Sequence, residues 1–143
     1  MATAIARFIE GSAATKADVD AVVGVLRGAF GRIESHERER VQDALATGRS
    51  RYYLARLRDA PVAAVHVIPL GERTGIYGFG VAPAHQDRGI GRAFLSQLMT
   101  MLQTEGATRY ALEVETTNAA AQRVYHACGF TTTTTYGYYV VPV

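Results

Sequence analysis

The sequence predicts an α/β protein: one domain over residues 1–143, with a mixed, mostly antiparallel twisted sheet of about six to seven strands and about four flanking helices. Three observations support this prediction. Hydrophobic periodicity gives the element order β-α-α-β-β-β-α-β-α-β, which is typical of a mixed sheet covered by helices. A chain of 143 residues, 48% of them apolar, can bury one core. Neither an internal repeat nor a low-complexity linker divides the chain.

The first third of the chain predicts one strand and two helices. Residues 3–9 alternate weakly, as a strand does, and residues 11–14 predict a turn. Thr15 then suits the cap of the first helix. Apolar residues at helical spacing predict the buried stripe of this helix: Val19, Val22, Val23, Leu26 and Phe30. A second, strongly charged helix is predicted for residues 35–46.

The middle of the chain predicts a meander of three strands. Residues 51–57 and 62–68 predict a hairpin around the tight segment 58–61. Residues 71–75 predict the next turn, and residues 76–81 predict the third strand. Alternation predicts that one face of the first of these strands consists of Tyr53, Ala55 and Leu57.

The last part of the chain predicts a strand, a helix and a β-rich tail. Residues 110–114 predict the strand, and Asn118 is placed to cap a helix that Gly129 stops. After Phe130 thirteen residues remain, enough for one long strand or for a very tight hairpin at residues 136–137. An unpaired long strand would favour a homodimer that pairs through it, because exposed β-edges associate.

Composition narrows the function classes. A formal net charge of +2 is too small to imply nucleic-acid binding. The single cysteine, Cys128, excludes an intramolecular disulfide and fits a reducing cytoplasm. No apolar run approaches the roughly 20 residues that span a bilayer, and no signal-peptide segment begins the sequence, so we expect a cytoplasmic protein without a membrane partner. The histidines, the cysteine and the acids show no metal-ligand spacing, so no metal is predicted.

A glycine- and arginine-rich turn follows the third strand of the meander. Its residues, 86–91, have the form Q-x-x-G-x-G and lead into an amphipathic helix. A helix N-terminus presents unpaired N–H groups that attract anions, and arginines beside it strengthen that attraction. A dinucleotide fingerprint or a P-loop would need residues that are absent here. The turn therefore indicates phosphate binding, against the alternative of a surface loop that happens to hold two glycines.

Two blocks of residues resemble the GNAT N-acetyltransferases. The first consists of Val81-x-Pro83 followed by Gln86-x-x-Gly89-x-Gly91. The second consists of Leu112-Glu113-Val114, Asn118, Ala121, Tyr125 and Gly129-Phe130. The predicted element order is similar to that family's fold over essentially the whole chain, and the motif match covers residues 76–130.

The resemblance implies that acetyl-CoA is the cosubstrate. Backbone groups of the splayed strand would pair with the pantetheine arm, and Asn118 would hydrogen-bond it. The strand residues implied are Phe79, Gly80 and Val81. The turn and its helix would hold the pyrophosphate through Gln86, Asp87, Arg88, Gly89, Ile90, Gly91 and Arg92. Asp87 departs from the family pattern, because an aspartate beside a pyrophosphate is electrostatically unfavourable.

The same resemblance implies the residues that move protons. Tyr125, seven residues after Asn118, would be the general acid for the departing thiolate; the alternative is a core aromatic. Glu113 would be the base, in an arrangement similar to that of the ribosomal-protein N-terminal alanine acetyltransferases. Glu115 shares its strand face and stays open as the base, directly or through water.

The resemblance therefore implies an enzyme that transfers the acetyl group of acetyl-CoA to a primary amine by direct attack in a ternary complex. The acceptor is a small molecule or a peptide. We expect acceptor contacts from the loop 31–36 and from Tyr136, Tyr138 and Tyr139, and His66 is a weaker candidate. The alternative is a non-catalytic acyl-CoA-binding regulatory module on the same fold, favoured by Asp87 and by the absence of an acid in residues 76–81.

Overall fold

The computed structural model describes residues 8–31, 36–86, 88–115, 119–130, 134–135 and 138–140, and for 113–115, 120, 134–135 and 138–140 it describes the backbone only. The strands are β1 (Ile9–Ala13), β2 (Arg51–Leu57), β3 (Ala60–Leu70), β4 (Arg73–Val81), β5 (Tyr110–Glu115), β6 (Thr134–Thr135) and β7 (Tyr138–Val140). The helices are α1 (Val19–Phe30), α2 (Glu37–Thr47), α3 (Ile90–Thr104) and α4 (Ala119–Ala127).

The strands form one mixed sheet in the order β1-β2-β3-β4-β5-β7-β6. Every described pairing is antiparallel except that of β4 with β5, which is parallel because α3 crosses between them. The predicted fold class is therefore confirmed. The expected six to seven strands correspond to five full strands and to two of two and three residues at the C-terminal edge.

A hydrophobic cluster covers each face of the sheet. The larger cluster contains α3 residues such as Phe94 and Leu98 together with Tyr125 of α4. The smaller contains Val22 and Leu26 of α1 with Val41 of α2. Strand β2 contributes to both: Tyr53, Ala55 and Leu57 belong to the larger cluster, as their alternation predicts. The structure is therefore layered, with α1 and α2 on one face and α3 and α4 on the other.

Strand β1 lies later in the chain than predicted. The turn expected at residues 11–14 is wrong for residues 11–13, which are extended and pair with β2, and residues 3–7 lie outside the described part. The Gln97 side chain of α3 explains the difference: its Oε1 accepts from the Gly11 N–H at 2.8 Å, and its Nε2 donates to the Ile9 carbonyl at 3.0 Å. A helix 86 residues away thus stabilises the extended conformation.

The turns of the meander are tighter than predicted. Strand β3 runs to Leu70 and β4 begins at Arg73, so Gly75 belongs to the strand and not to the turn. The β2–β3 hairpin turns on Arg58 and Asp59, whose φ angles of 51° and 70° are left-handed. Two-residue hairpin turns of this hand match the twist of the flanking strands.

The tail forms the hairpin that the sequence left open. Strands β6 and β7 are antiparallel, and β7 also pairs with β5, with Glu113 opposite Val140. The long unpaired strand that suggested a homodimer is therefore not formed, because β7 has a partner within the chain on each side.

Candidate functional site

Strand β4 divides into two halves that differ in their partners. Its pairing with β5 covers Thr74, Gly75 and Ile76, which we name the paired half. Residues 77–81, the open half, pair with β3 alone in the described part of the chain. Backbone N–H and C=O groups on the β5 side of the open half are therefore available to an extended ligand.

A bulge lies just inside the open half. The β3–β4 register shifts between Ala64 and His66, which faces Tyr77, and Gly78 has a left-handed φ of 57°. A bulge adds a residue to one strand and increases its local twist. Glycine adopts this φ without strain, so Gly78 lets β4 change direction where its pairing with β5 ends.

The open half leads directly into the N-terminus of α3. A short 3₁₀ turn (Pro83–His85) follows Ala82, and the side-chain Nε2 of Gln86 donates to the carbonyl of Val81 at 2.9 Å. Gly89, with a φ of 77°, precedes the first residue of α3. The buried side chain of Ile90 then anchors the helix in the core. The first N–H groups of α3 lack intrahelical partners and are available to an anion beside the end of β4.

The first turn of α3 has basic side chains at its surface. Arg88 and Arg92 are exposed, and a helix N-terminus adds partial positive charge. Gly91 lies between β4 and α4, since a Cβ there would be 3.5 Å from Val81 and 3.9 Å from Val124. An extended polar ligand with an anionic end fits these residues: the open half of β4 for its length, and the turn for its charge.

Tyr125 lies beneath the open half. Its side chain is 5% exposed, and its ring meets the ring of Phe79 edge-on at 6.1 Å and that of Phe130 at 6.0 Å. Phe79 in turn contacts Phe94 of α3 at 5.6 Å. Burial raises the pKa of Tyr125 well above that of an ordinary phenol. The hydroxyl is therefore protonated at pH 7, and burial makes it a weaker acid than an ordinary phenol.

The structure brings together most of the residues that the sequence predicts to bind acetyl-CoA. They lie on the open half, on the turn or at the start of α3: Phe79, Gly80, Val81, Gln86, Arg88, Gly89, Ile90, Gly91 and Arg92. Asp87 and Asn118 lie outside the described residues. Glu113 and Glu115 are placed on β5 by their backbone, opposite Val140 and Tyr138 of β7.

His66 packs against neighbouring side chains, and its contact with an acceptor stays a prediction. Its ring stacks on Tyr52 at 4.1 Å, and its Nε2 is 2.7 Å from the hydroxyl of Ser50. Burial, with a smaller contribution from the charge of Arg40, lowers the pKa of His66 to about 4. The imidazole is therefore neutral at pH 7, and its contacts serve the packing of β2 against β3.

Phe30 differs from its prediction. The stripe of α1 places it with the buried residues, yet it is 51% exposed. The helix ends at Phe30, and Gly31, with a φ of 76°, turns the chain away. The periodic pattern contains no signal for this, because spacing alone does not tell where a helix passes the edge of its sheet. Phe30 is therefore a surface aromatic.

A separate cavity of about 290 Å³ lies at the opposite end of the sheet. Its lining includes the last turn of α3 and the β3–β4 turn, far along both elements from the open half. There the guanidinium of Arg51 donates to both carboxylate oxygens of Glu105, at 2.8 and 2.6 Å, so these two charges neutralise each other. The residues that line this cavity do not include the open half of β4 or the turn before α3.

In the described residues, no group of three or more His, Cys, Asp and Glu side chains is placed to hold a metal ion. Nor does any described helix have both the length and the apolarity that crossing a bilayer requires.

Comparison with known proteins supports the geometry. Residues 19–130 match the profile of the Acetyltransferase (GNAT) family. A mycothiol acetyltransferase from Beutenbergia cavernae is 39% identical over 67 residues, 47% of this chain and 23% of that protein. A [ribosomal protein bS18]-alanine N-acetyltransferase from Salmonella typhimurium is also 39% identical over 67 residues, 47% of this chain and 45% of that protein. The chain thus covers less than half of the length of these curated relatives.

Solved structures share the fold over nearly the whole chain. The PaiA N-acetyltransferase from Thermoplasma acidophilum, in complex with coenzyme A, has a TM-score of 0.81 at 13% identity and covers 94% of this chain and 97% of its own. The ribosomal-protein-S18-alanine N-acetyltransferase from Escherichia coli has a TM-score of 0.80 at 21% identity, with coverages of 94% and 92%. At these identities the similarity concerns the fold.

Proposed function

Since the chain belongs to the acetyltransferase (GNAT) family, we propose that it transfers the acetyl group of acetyl-CoA to a primary amine by direct attack in a ternary complex. One observation carries the proposal: the open half of β4 ends at a glycine-rich turn and a helix N-terminus. An acyl-CoA has a matching shape, with an extended amide-bearing arm that ends in a pyrophosphate.

The roles of the donor residues follow from this match. The backbone of Phe79, Gly80 and Val81 pairs with the amides of the pantetheine arm. The amides of residues 87–92 bind the pyrophosphate, and the positive N-terminus of α3 stabilises its charge. Asn118 hydrogen-bonds the same arm. Gln86, whose amide group is bonded to Val81, keeps the turn next to the end of the strand.

The chemistry needs a neutral amine, a stabilised oxyanion and a proton for the leaving sulfur. The amine nitrogen attacks the thioester carbonyl, the C–S bond breaks, and the phenol of Tyr125 gives its proton to the departing thiolate. The phenol is protonated at neutral pH and so has a proton to give, and the developing charge on the sulfur has to offset the raised pKa of the buried hydroxyl. Glu113 removes the proton from the amine, directly or through water, and Glu115 is the alternative base.

Two acceptor sources are consistent with the relatives. One relative is named for an alanine of ribosomal protein bS18 and another for mycothiol. We propose that the acceptor of this chain is likewise a primary amine on a peptide or on a small molecule, contacted by the loop 31–36 and by Tyr136, Tyr138 and Tyr139. A cytoplasmic location stays a prediction.

The cosubstrate is tested first by binding. Acetyl-CoA is expected to raise the thermal unfolding midpoint of the protein, because it binds the folded state only. Adenosine diphosphate at the same concentration should raise it much less, since it lacks the pantetheine arm. Equal stabilisation by the two ligands would contradict the assignment of the open half to pantetheine.

The enzyme is separated from a binding module by turnover. Release of free thiol from acetyl-CoA is measured across a panel of amines. Tyr125→Phe should lower kcat about 100-fold, because it removes the acid and keeps the ring. Tyr110→Phe is the matched control: Tyr110 is equally buried, and its hydroxyl bonds the Ala107 carbonyl away from the open half. Undiminished turnover in Tyr125→Phe excludes the proposed acid, and binding without turnover of any amine favours the regulatory module.

A further inference from the structure

Phe30 is an exposed aromatic beside the proposed donor site. Three large apolar side chains are exposed in the described part of the chain: Phe8 at 61%, Phe30 at 51% and Leu70 at 43%. Phe8 precedes the edge strand β1, and Leu70 lies at the β3–β4 turn. Phe30 lies against the open half of β4, at Gly80.

The contact is with Gly80. A Cβ built on Gly80 would be 2.8 Å from the Cβ of Ala29 and 3.2 Å from Cε2 of Phe30, so the last turn of α1 lies directly on this backbone. It does so on the face of the sheet opposite to Phe79 and Tyr125, which belong with α3 and α4. The open half therefore has the proposed acid on one face and an exposed phenyl ring on the other.

This arrangement bears on how the acceptor approaches. Gly80 and Gly78 are two residues apart, about 6.6 Å at 3.3 Å per strand residue. A thioester held beside Gly78 would therefore lie about 6.6 Å along the strand from Gly80, the residue against which the Phe30 ring packs. An amine that attacks from the α1 face passes this ring, and the substituent next to the amine contacts it.

Three acidic side chains of α1 and α2 lie close to basic ones. Asp20 of α1 bonds Arg38 of α2, and Glu39 is 3.3 Å from His36. Glu37 is 3.8 Å from Arg40. These are three of the four acidic residues of the two helices, and the fourth, Asp43, lies six residues after Glu37. Among the described residues of these two helices, Asp20 and Glu37 already have arginine partners, whereas the exposed ring of Phe30 offers contact to an apolar group.

We propose that Phe30 selects acceptors in which an apolar group lies next to the primary amine. The inference rests on the proposed function, because it concerns the acceptor of the same reaction. Apolar surface on the acceptor and on the ring leaves water together when the ternary complex forms, which favours binding. An arylalkylamine and a peptide with a hydrophobic residue at its N-terminus both carry an apolar group next to a primary amine.

The test compares acceptors that share a reacting group. 2-Phenylethylamine and ethanolamine both present an amine on two methylenes, and spermidine is the polycation. The unmodified protein should show the highest kcat/KM for 2-phenylethylamine. Phe30→Ala should lower that value about tenfold, the loss expected for roughly 1.4 kcal/mol of contact, and leave ethanolamine within about twofold. The KM for acetyl-CoA should not change.

Two further variants keep the result interpretable. Phe30→Leu retains apolar surface and should lose less than Phe30→Ala, which also covers the case in which the alanine variant does not fold. Phe8→Ala removes an equally exposed ring from another part of the surface and should leave all three amines unaffected. Peptides that begin with Phe or with Gly show whether the acceptor is a peptide or a small amine. A preference for the Phe peptide that Phe30→Ala abolishes indicates a peptide acceptor. The absence of such a preference indicates a small amine.

The outcomes distinguish the two proposals. Equal or better turnover of ethanolamine or spermidine by the unmodified protein overturns the inference, as does unchanged selectivity in both Phe30 variants, and either result leaves the acetyltransferase intact. Absence of an acetylated product from every amine and peptide, while acetyl-CoA still binds, overturns the proposed function itself.

Discussion

The two halves of β4 belong to one strand and have different surroundings. The paired half lies between β3 and β5, and its Gly75 and Ile76 are buried. The open half has β3 on one side, and its Phe79 and Val81 are only partly buried. Residue type does not distinguish them, since both are glycine-containing and apolar. The presence or absence of β5 as a partner therefore decides which half is enclosed and which half has one edge open.

The side chains beneath the open half explain why the sheet tolerates the gap. Rings from three elements meet there: Phe79 of β4, Phe94 of α3 and Tyr125 of α4. Their contacts replace the support that a neighbouring strand would provide. The bulge at Gly78 then lets β4 twist away from β5 without loss of its pairing with β3. The ring contacts and the bulge together account for the opening.

The largest effect is expected from a pair of truncations, one in each half. Ile76→Ala should lower the free energy of unfolding by about 2–5 kcal/mol, because it leaves a cavity at a site that is 1% exposed. The affinity of the folded protein for acetyl-CoA should change little. Phe79→Ala should cost less stability and weaken acetyl-CoA binding more. Chemical denaturation measures the free energy of unfolding, and calorimetric titration measures the affinity for acetyl-CoA. If the loss of stability relative to the loss of affinity is the same in both variants, the two halves do not differ in function.

A smaller effect is expected from glycines with left-handed backbone. Gly89→Ala should destabilise the fold by about 1–2 kcal/mol, the cost of a side chain at a φ of 77°. It should also weaken acetyl-CoA binding, because it disturbs the N–H groups at the start of α3. Gly48→Ala is the control, since Gly48 has a φ of 71° at the end of α2 and nothing within 4 Å of an added Cβ. Equal loss of affinity in both variants would show that strain, rather than the turn, is responsible.

The smallest effect concerns His66, which faces Tyr77 where the two halves meet. Its pKa of about 4 lies below the ordinary 6.5, so the folded state resists protonation. The stability that the neutral ring contributes is present above pH 6.5 and is lost as the pH falls towards 4. Solvent screens the charge of a partly exposed ring and so limits the effect. We expect the free energy of unfolding to fall by on the order of 1–2 kcal/mol.

The comparison for this prediction is a change of the histidine to glutamine. His66→Gln should flatten the fall of unfolding free energy between pH 6.5 and 4, whereas His36→Gln, at a histidine with a 73% exposed side chain, should not. Urea denaturation across this pH range gives the values. An identical pH profile for His66→Gln and the unmodified protein would assign the loss to other groups.

Much of the fold could be predicted because its signals are local. Alternation in β2 assigned its two faces correctly, and the amphipathic segment after the turn corresponds to α3. The Q-x-x-G-x-G motif corresponds to the turn and the helix N-terminus that follow β4, and its role in anion binding stays a prediction. Local signals failed where the determinant is distant in the chain. The predicted position of β1 is wrong because hydrogen bonds from Gln97 of α3 stabilise residues 9–11 in the strand. The predicted β3–β4 turn is too long because the two strands continue to pair as far as Leu70 and Arg73.

The sequence by itself determined the fold class, the family resemblance and the position of the turn that precedes α3, because periodicity and the backbone freedom of glycine act over a few residues. Only the tertiary structure decided that β4 is open beyond Ile76 and that Tyr125 lies beneath the opening. It also decided that Phe30 is exposed above Gly80. These features depend on where β4 and β5 separate and where α1 ends against the sheet, and such distances are set by packing between elements that are far apart in the chain.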